Sequence, residues 1–76
     1  MGYHYRRLRD LREDHDLTQL QVAQYLQAGR TQYIRYESGQ CEIPVHSLIR
    51  LAVLYKTSTD YLLGLTDNPK PYDRIL

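Results

Sequence analysis

The sequence predicts an all-α fold, five short helices in one compact bundle, and three observations predict it. Apolar residues recur at intervals of three and four along most of the chain. Strand-like alternation is missing. Each periodic stretch is bounded by a residue that caps or breaks a helix.

The first helix is expected from about Tyr5 to His15, with Tyr5, Leu8 and Leu11 or Arg12 along one stripe. The second begins after Thr18, a good N-cap, and turns Val22, Ala23 and Leu26 inward. Gln27-Ala28-Gly29 is a break. A third helix spans about Arg30 to Ser38, with Tyr33 and Tyr36 on its inner side and Gly39 stopping it. Pro44 suits the first turn of a fourth, running to about Lys56 with Val45, Leu48, Ile49, Leu51, Ala52 and Tyr55 as its stripe. Ser58 caps a last helix through Leu63, which Gly64 ends. Residues 1–65 thus read as one domain. Residues 66–76, with Pro69 and Pro71, read as an extended tail.

Composition narrows the function. A chain of 76 residues with 42% hydrophobic and 25% charged side chains supports one small core. No apolar run is long enough for a bilayer and the N-terminal residues open no signal segment, so a soluble, cytoplasmic protein is expected. The single cysteine, Cys41, permits no internal disulfide, and its neighbour Glu42 does not favour a thiolate. His4, His15 and His46 lack metal-ligand spacing, and neither a phosphate-cradling glycine loop nor a nucleophile–base arrangement occurs. No metal, no cofactor and no enzymatic activity are expected.

The net charge of +1 is low for a nucleic-acid binder, but its distribution is uneven. From Gln19 to Tyr36 the chain carries two arginines, five glutamines and no acid. This stretch holds two helices of about eight residues joined by a three-residue turn containing glycine, too short for an antiparallel return. The pair must cross steeply. One face of the second helix packs on the first and the other stays outside, which is the geometry of a DNA-reading helix-turn-helix.

Leu17-Thr18-Gln19, Val22-Ala23, Leu26, the run Tyr33-Ile34-Arg35-Tyr36-Glu37-Ser38-Gly39 and the run Ser58-Thr59-Asp60-Tyr61-Leu62-Leu63-Gly64 follow in order from Arg6 to Gly64. Together they resemble the Cro/repressor (Xre-type) helix-turn-helix family. The resemblance implies a lambda-repressor-like bundle of five helices that binds double-stranded DNA, mostly as a homodimeric repressor on an inverted-repeat operator. It implies that Thr18 and Gln19 grip phosphate and that Arg30, Thr31, Gln32 and Arg35 face the major groove. It also implies that Arg12 pairs with Glu37 to brace the reading helix. Side-chain chemistry agrees: a helix N-terminus attracts phosphate, arginine forks onto guanine and glutamine matches adenine.

The pattern departs from the family at three places. Gln40 and Cys41 stand where basic residues usually meet phosphate, leaving Gln40 as the phosphate contact there. Gly29 replaces a side-chain cap, and Ile34 occupies a position that is often polar, where it suits a thymine methyl. These departures imply a weaker grip that leans on dimerisation.

The eight tyrosines invite a stacking platform for single strands, but Tyr33, Tyr36, Tyr55 and Tyr61 fall on core stripes, with hydroxyls expected at the surface. Tyr25 is off-stripe and suits a phosphate. Arg6, Arg7, Arg9 and Arg12 alternate with Asp10, Glu13 and Asp14 and read as a salt-bridged face, from which Arg6 or Arg7 reaches the backbone at most. Leu20, Val53 and Leu54, with Ile75 and Leu76 on the tail, suggest a surface for a second copy, or a frayed tail. A second reading is an antitoxin-like or adaptor-like protein-interaction module with weak or autoregulatory DNA binding.

Overall fold

The computed structural model describes residues 5–71. Ile75 and Leu76, expected at a partner surface, lie outside them. Five α-helices and no strand occur among the described residues: α1 Arg6–Asp14, α2 Gln19–Leu26, α3 Arg30–Ser38, α4 Val45–Leu54 and α5 Thr59–Leu63.

The helix boundaries follow local chemistry. Thr18 closes a capping box at α2: the Gln21 amide donates to Thr18 Oγ1 at 3.1 Å and the Thr18 amide donates to Gln21 Oε1 at 2.8 Å. At α5 the Tyr61 amide donates to Ser58 Oγ at 3.0 Å. Gly39 and Gly64, with φ of 84° and 80°, end α3 and α5 in the left-handed region that glycine enters without strain. Gln27, with φ of 58°, does the same for α2 despite its side chain.

Leu8, Tyr33, Leu51, Leu62 and Val22 are completely enclosed, so every helix contributes to one core. Each of the four aliphatic side chains among them contributes about 1.5–3 kcal/mol relative to exposure. α2 rests on α3 and α4, while α1 bridges α3 and α5.

Several expectations need correction. Pro44 is the N-cap of α4 rather than part of its first turn, and the helix stops at Leu54 because Lys56 takes a φ of 54°. Val45 and Ile49 were expected on the inner stripe but stand 71% and 50% exposed. The core covers only the side of α4 that carries Leu48, Leu51 and Ala52. Leu54, expected outside, packs half-buried against the core.

The Tyr33 and Tyr55 hydroxyls do not reach the surface; both are buried without a hydrogen-bond partner among the described residues. Tyr61 is half-buried beneath the Arg7 guanidinium, which lies 3.9 Å from its ring centre.

The segment after α5 is strapped to the body. Arg7 Nη1 donates to the carbonyls of Tyr61 and Thr66, and Arg7 Nη2 meets Asp67 Oδ1 at 2.9 Å. Thr57 Oγ1 donates to the Pro69 carbonyl at 2.7 Å. Arg7 is therefore a clamp on the chain's own segment.

Candidate nucleic-acid interface

The α2–turn–α3 pair is fixed from below. The Ala28 amide donates to the Ala23 carbonyl at 2.9 Å, continuing the end of α2 into the turn. Tyr33, Tyr36 and Glu37 then direct one side of α3 into the molecule. The opposite side is outward, with Arg30, Thr31, Arg35 and Ser38 exposed and Gln32 and Ile34 half-buried at its edges. Arg30 and Arg35 enter no ion pair among the described residues.

Gly29 caps α3 through its backbone alone, and its φ of −69° is one that any residue adopts. A Cβ added there meets nothing within 4 Å. Neither conformation nor space demands glycine at that turn.

Arg12 and Glu37 hold α1 against α3. Arg12 Nε donates to Glu37 Oε2 at 2.8 Å and Nη2 donates to Oε1 at 3.0 Å, a two-pronged fork. Arg12 Nη1 also donates to the Leu17 carbonyl at 2.8 Å, tying the same guanidinium to the entrance of α2. The Glu37 side chain is only 5% exposed. Burial alone would raise its carboxyl pKa, but the Arg12 hydrogen bonds and charge, with smaller help from Tyr33 and Gln19, outweigh burial and hold it below the usual carboxylate range. The Tyr33 hydroxyl lies near this carboxylate but outside hydrogen-bond geometry.

The sequence-derived residues divide into three groups. Arg30, Thr31 and Arg35 share the open face of α3, with Gln32 and Ile34 beside them. Thr18 and Gln19 stand at the adjoining start of α2, where Gln19 Nε2 reaches Glu37 Oε1 at 3.4 Å. Gln40 is exposed just past Gly39, at the far end of α3.

Tyr25 is differently placed. Its hydroxyl donates to the Arg50 carbonyl at 2.9 Å, while Arg50 Nη2 donates to the Tyr25 carbonyl at 2.9 Å and its guanidinium lies 5.2 Å from the ring centre. The Tyr25 proton assigned to phosphate is committed to α4. Sequence reasoning missed Arg50 as the α2–α4 tie, because residues 25 apart give no periodic signal.

Among the described residues no group of three His, Cys, Asp or Glu is placed to hold a metal ion, and no helix is long and apolar enough to cross a membrane. Cys41 is a free thiol, half-buried against the core.

A short helix braced from behind, joined by a tight turn to a second helix whose outer face is open, is a helix-turn-helix unit. A family model described as a helix-turn-helix domain matches residues 5–68, and the chain belongs to that family, in its Xre-type branch. It is 45% identical over 65 residues to the uncharacterized HTH-type transcriptional regulator YobD of Bacillus subtilis strain 168, covering 86% of this chain and 58% of the relative. It is 36% identical over 59 residues to the HTH-type transcriptional regulator ImmR of the same organism, covering 78% of this chain and 46% of the relative. The chain thus spans about half the length of these relatives. No solved structure matches it significantly.

Proposed function

We propose that this chain is the DNA-reading domain of a transcriptional regulator, a repressor on an inverted-repeat operator. The observation that carries the reading is the open side of α3, where Arg30, Thr31 and Arg35 stand exposed and neither arginine has an ion-pair partner among the described residues. Two relatives bearing the name of transcriptional regulator support it. Arg30, Thr31, Gln32, Ile34 and Arg35 read base edges in the major groove, while Thr18, Gln19 and Gln40 position the phosphates. Tyr25 takes no part through its proton.

The reader works as a homodimer, with two α3 helices entering grooves about 34 Å apart. Exposed Val45, Ile49 and Val53 are spaced by four along α4 and form one apolar stripe well suited to a second copy. This stripe replaces Leu54 in the expected contact.

Selection of bound duplexes from a random library tests the reading, since it returns both half-site and spacing. Arg35→Ala is expected to cost about 1–3 kcal/mol and to relax preference at one base pair, while Gln19→Ala weakens all sequences alike. Failure to enrich any sequence at moderate salt removes the reading. Ile49→Lys is expected to shift the sedimentation of a dimer to that of a monomer. If instead the stripe retains one different protein in fixed ratio while DNA is ignored, the chain is a protein-interaction module.

A further inference from the structure

Arg6, Arg9 and Arg12 are spaced by three on α1 and follow one edge of that helix, beside α3. Arg12 is spent on Glu37 and the Leu17 carbonyl. Arg9, one turn earlier, is not. Its Nε lies 3.5 Å from Glu13 Oε1 across a pair whose side chains are 67% and 52% exposed. An exposed pair this loose contributes little and parts easily.

The surroundings of Arg9 give it a direction. Arg9, Arg12, Glu13, Gln19, Ile34 and Glu37 line a single recess, which thus joins α1 to both the start of α2 and the flank of the reading helix. Its continuation along α1 is lined by Arg6, Arg9, Asp10, Glu13, Glu37 and Ser38. A phosphate strand close enough to meet Gln19 while α3 sits in the groove passes along this recess, and Arg9 is the cation on its wall with a displaceable partner. Glu37 does not repel the strand, because Arg12 neutralises it. Glu13 and Asp10 do, and Glu13 must release Arg9.

We propose that Arg9 is a phosphate-positioning residue that exchanges its Glu13 partner for the DNA backbone on binding, with Arg6 extending the same wall. The recess would then supply from α1 the cationic grip that the uncharged Gln40 and Cys41 do not supply after α3. The inference rests on the DNA-binding reading above.

The test is a salt titration of wild type and Arg9→Ala, Arg9→Lys, Glu13→Gln and Arg35→Ala variants, on the duplex that the wild type selects from a random library. Arg9→Ala is expected to weaken binding equally across operator variants and to reduce the slope of log affinity against log salt by about one. Arg9→Lys should keep the slope, and Glu13→Gln should tighten binding. Thermal unfolding of each variant separates loss of grip from loss of fold. Unchanged affinity and slope in Arg9→Ala, alongside a weakened Arg35→Ala, overturns this proposal alone. A changed base preference in Arg9→Ala, or equal weakening by Glu13→Gln, overturns it too. A wild-type chain that selects no duplex overturns both this proposal and the function on which it rests.

Discussion

Arg12 and Glu37 meet through two hydrogen bonds of 2.8 and 3.0 Å, and the same guanidinium donates to the Leu17 carbonyl at 2.8 Å. One side chain of α1 thereby fixes the C-terminal end of α3 and the entrance of α2 together. The three-residue turn constrains the near end of α3, and this node constrains the far end.

Removing one partner leaves the other charge stranded in a mostly enclosed site. Glu37→Ala is expected to cost about 3 kcal/mol of stability, and Glu37→Gln, which keeps an acceptor for Arg12, roughly half of that. Urea unfolding of both variants checks the order, and equal losses would mean that charge rather than hydrogen bonding decides.

The depressed carboxyl pKa of Glu37 sets an acid limit. A carboxylate held below its unfolded value contributes stability that is complete above that value, 4.5, and is lost as pH falls through the folded one. Arg12, pushed upward by its hydrogen bond to Glu37, stays charged throughout and adds no pH dependence there. The stability gap between wild type and Glu37→Gln should be constant from neutral pH to about 5 and close below it. Thermal melts across that range measure the gap.

Tyr55 carries a buried hydroxyl with no partner among the described residues, and its ring packs against that of His15 with centroids 5.0 Å apart. Replacing such a hydroxyl by hydrogen removes a desolvation cost, so Tyr55→Phe should be neutral or stabilising by up to about 1 kcal/mol. Burial, with the nearby Glu37 charge, pushes the phenol up from 10.0 to about 12. The unfolded chain ionises first, so stability should fall as pH rises from 10 towards 12. Phe at this position should flatten that part of the profile. A destabilised Phe variant at neutral pH would reveal a hydroxyl partner.

Arg7 closes the strap over residues 61–67 through two backbone carbonyls and Asp67. Arg7→Ala should cost about 1–2 kcal/mol and speed hydrogen exchange at Asn68 and Lys70, leaving α2 and α3 protected. Exchange that quickens equally in α3 would mean that the strap and the reading helix open together.

Helix positions were readable because their signals are local. Thr18 with Gln21, Ser58 with Tyr61, Gly39 and Gly64 each act within a turn or two, and all bound helices as expected. The exposed set Arg30, Thr31 and Arg35 was equally readable, since Tyr33, Tyr36 and Glu37 fix which side of α3 turns in. Tyr25, Arg7 and α4 were misjudged for one reason. Their environments are made by residues far away in sequence: Arg50 for Tyr25, Tyr61 and Thr66 for Arg7, and the limited width of the core for Val45 and Ile49.

By itself, then, the sequence determined five helices, the side-chain caps of α2 and α5, a three-residue turn and an acid-free outer face on the third helix, because each of these follows from neighbours along the chain. Tertiary structure alone decided the fates of Arg7, Arg9 and Arg50, whereas the Arg12–Glu37 pair already followed from the family resemblance. Arg7 and Arg50 were tied to backbone carbonyls, and Arg9 was left with a loose, solvated partner. The physical reason is that a charged side chain takes its role from whichever acceptor folding brings within about 3 Å, and periodicity holds no record of that distance.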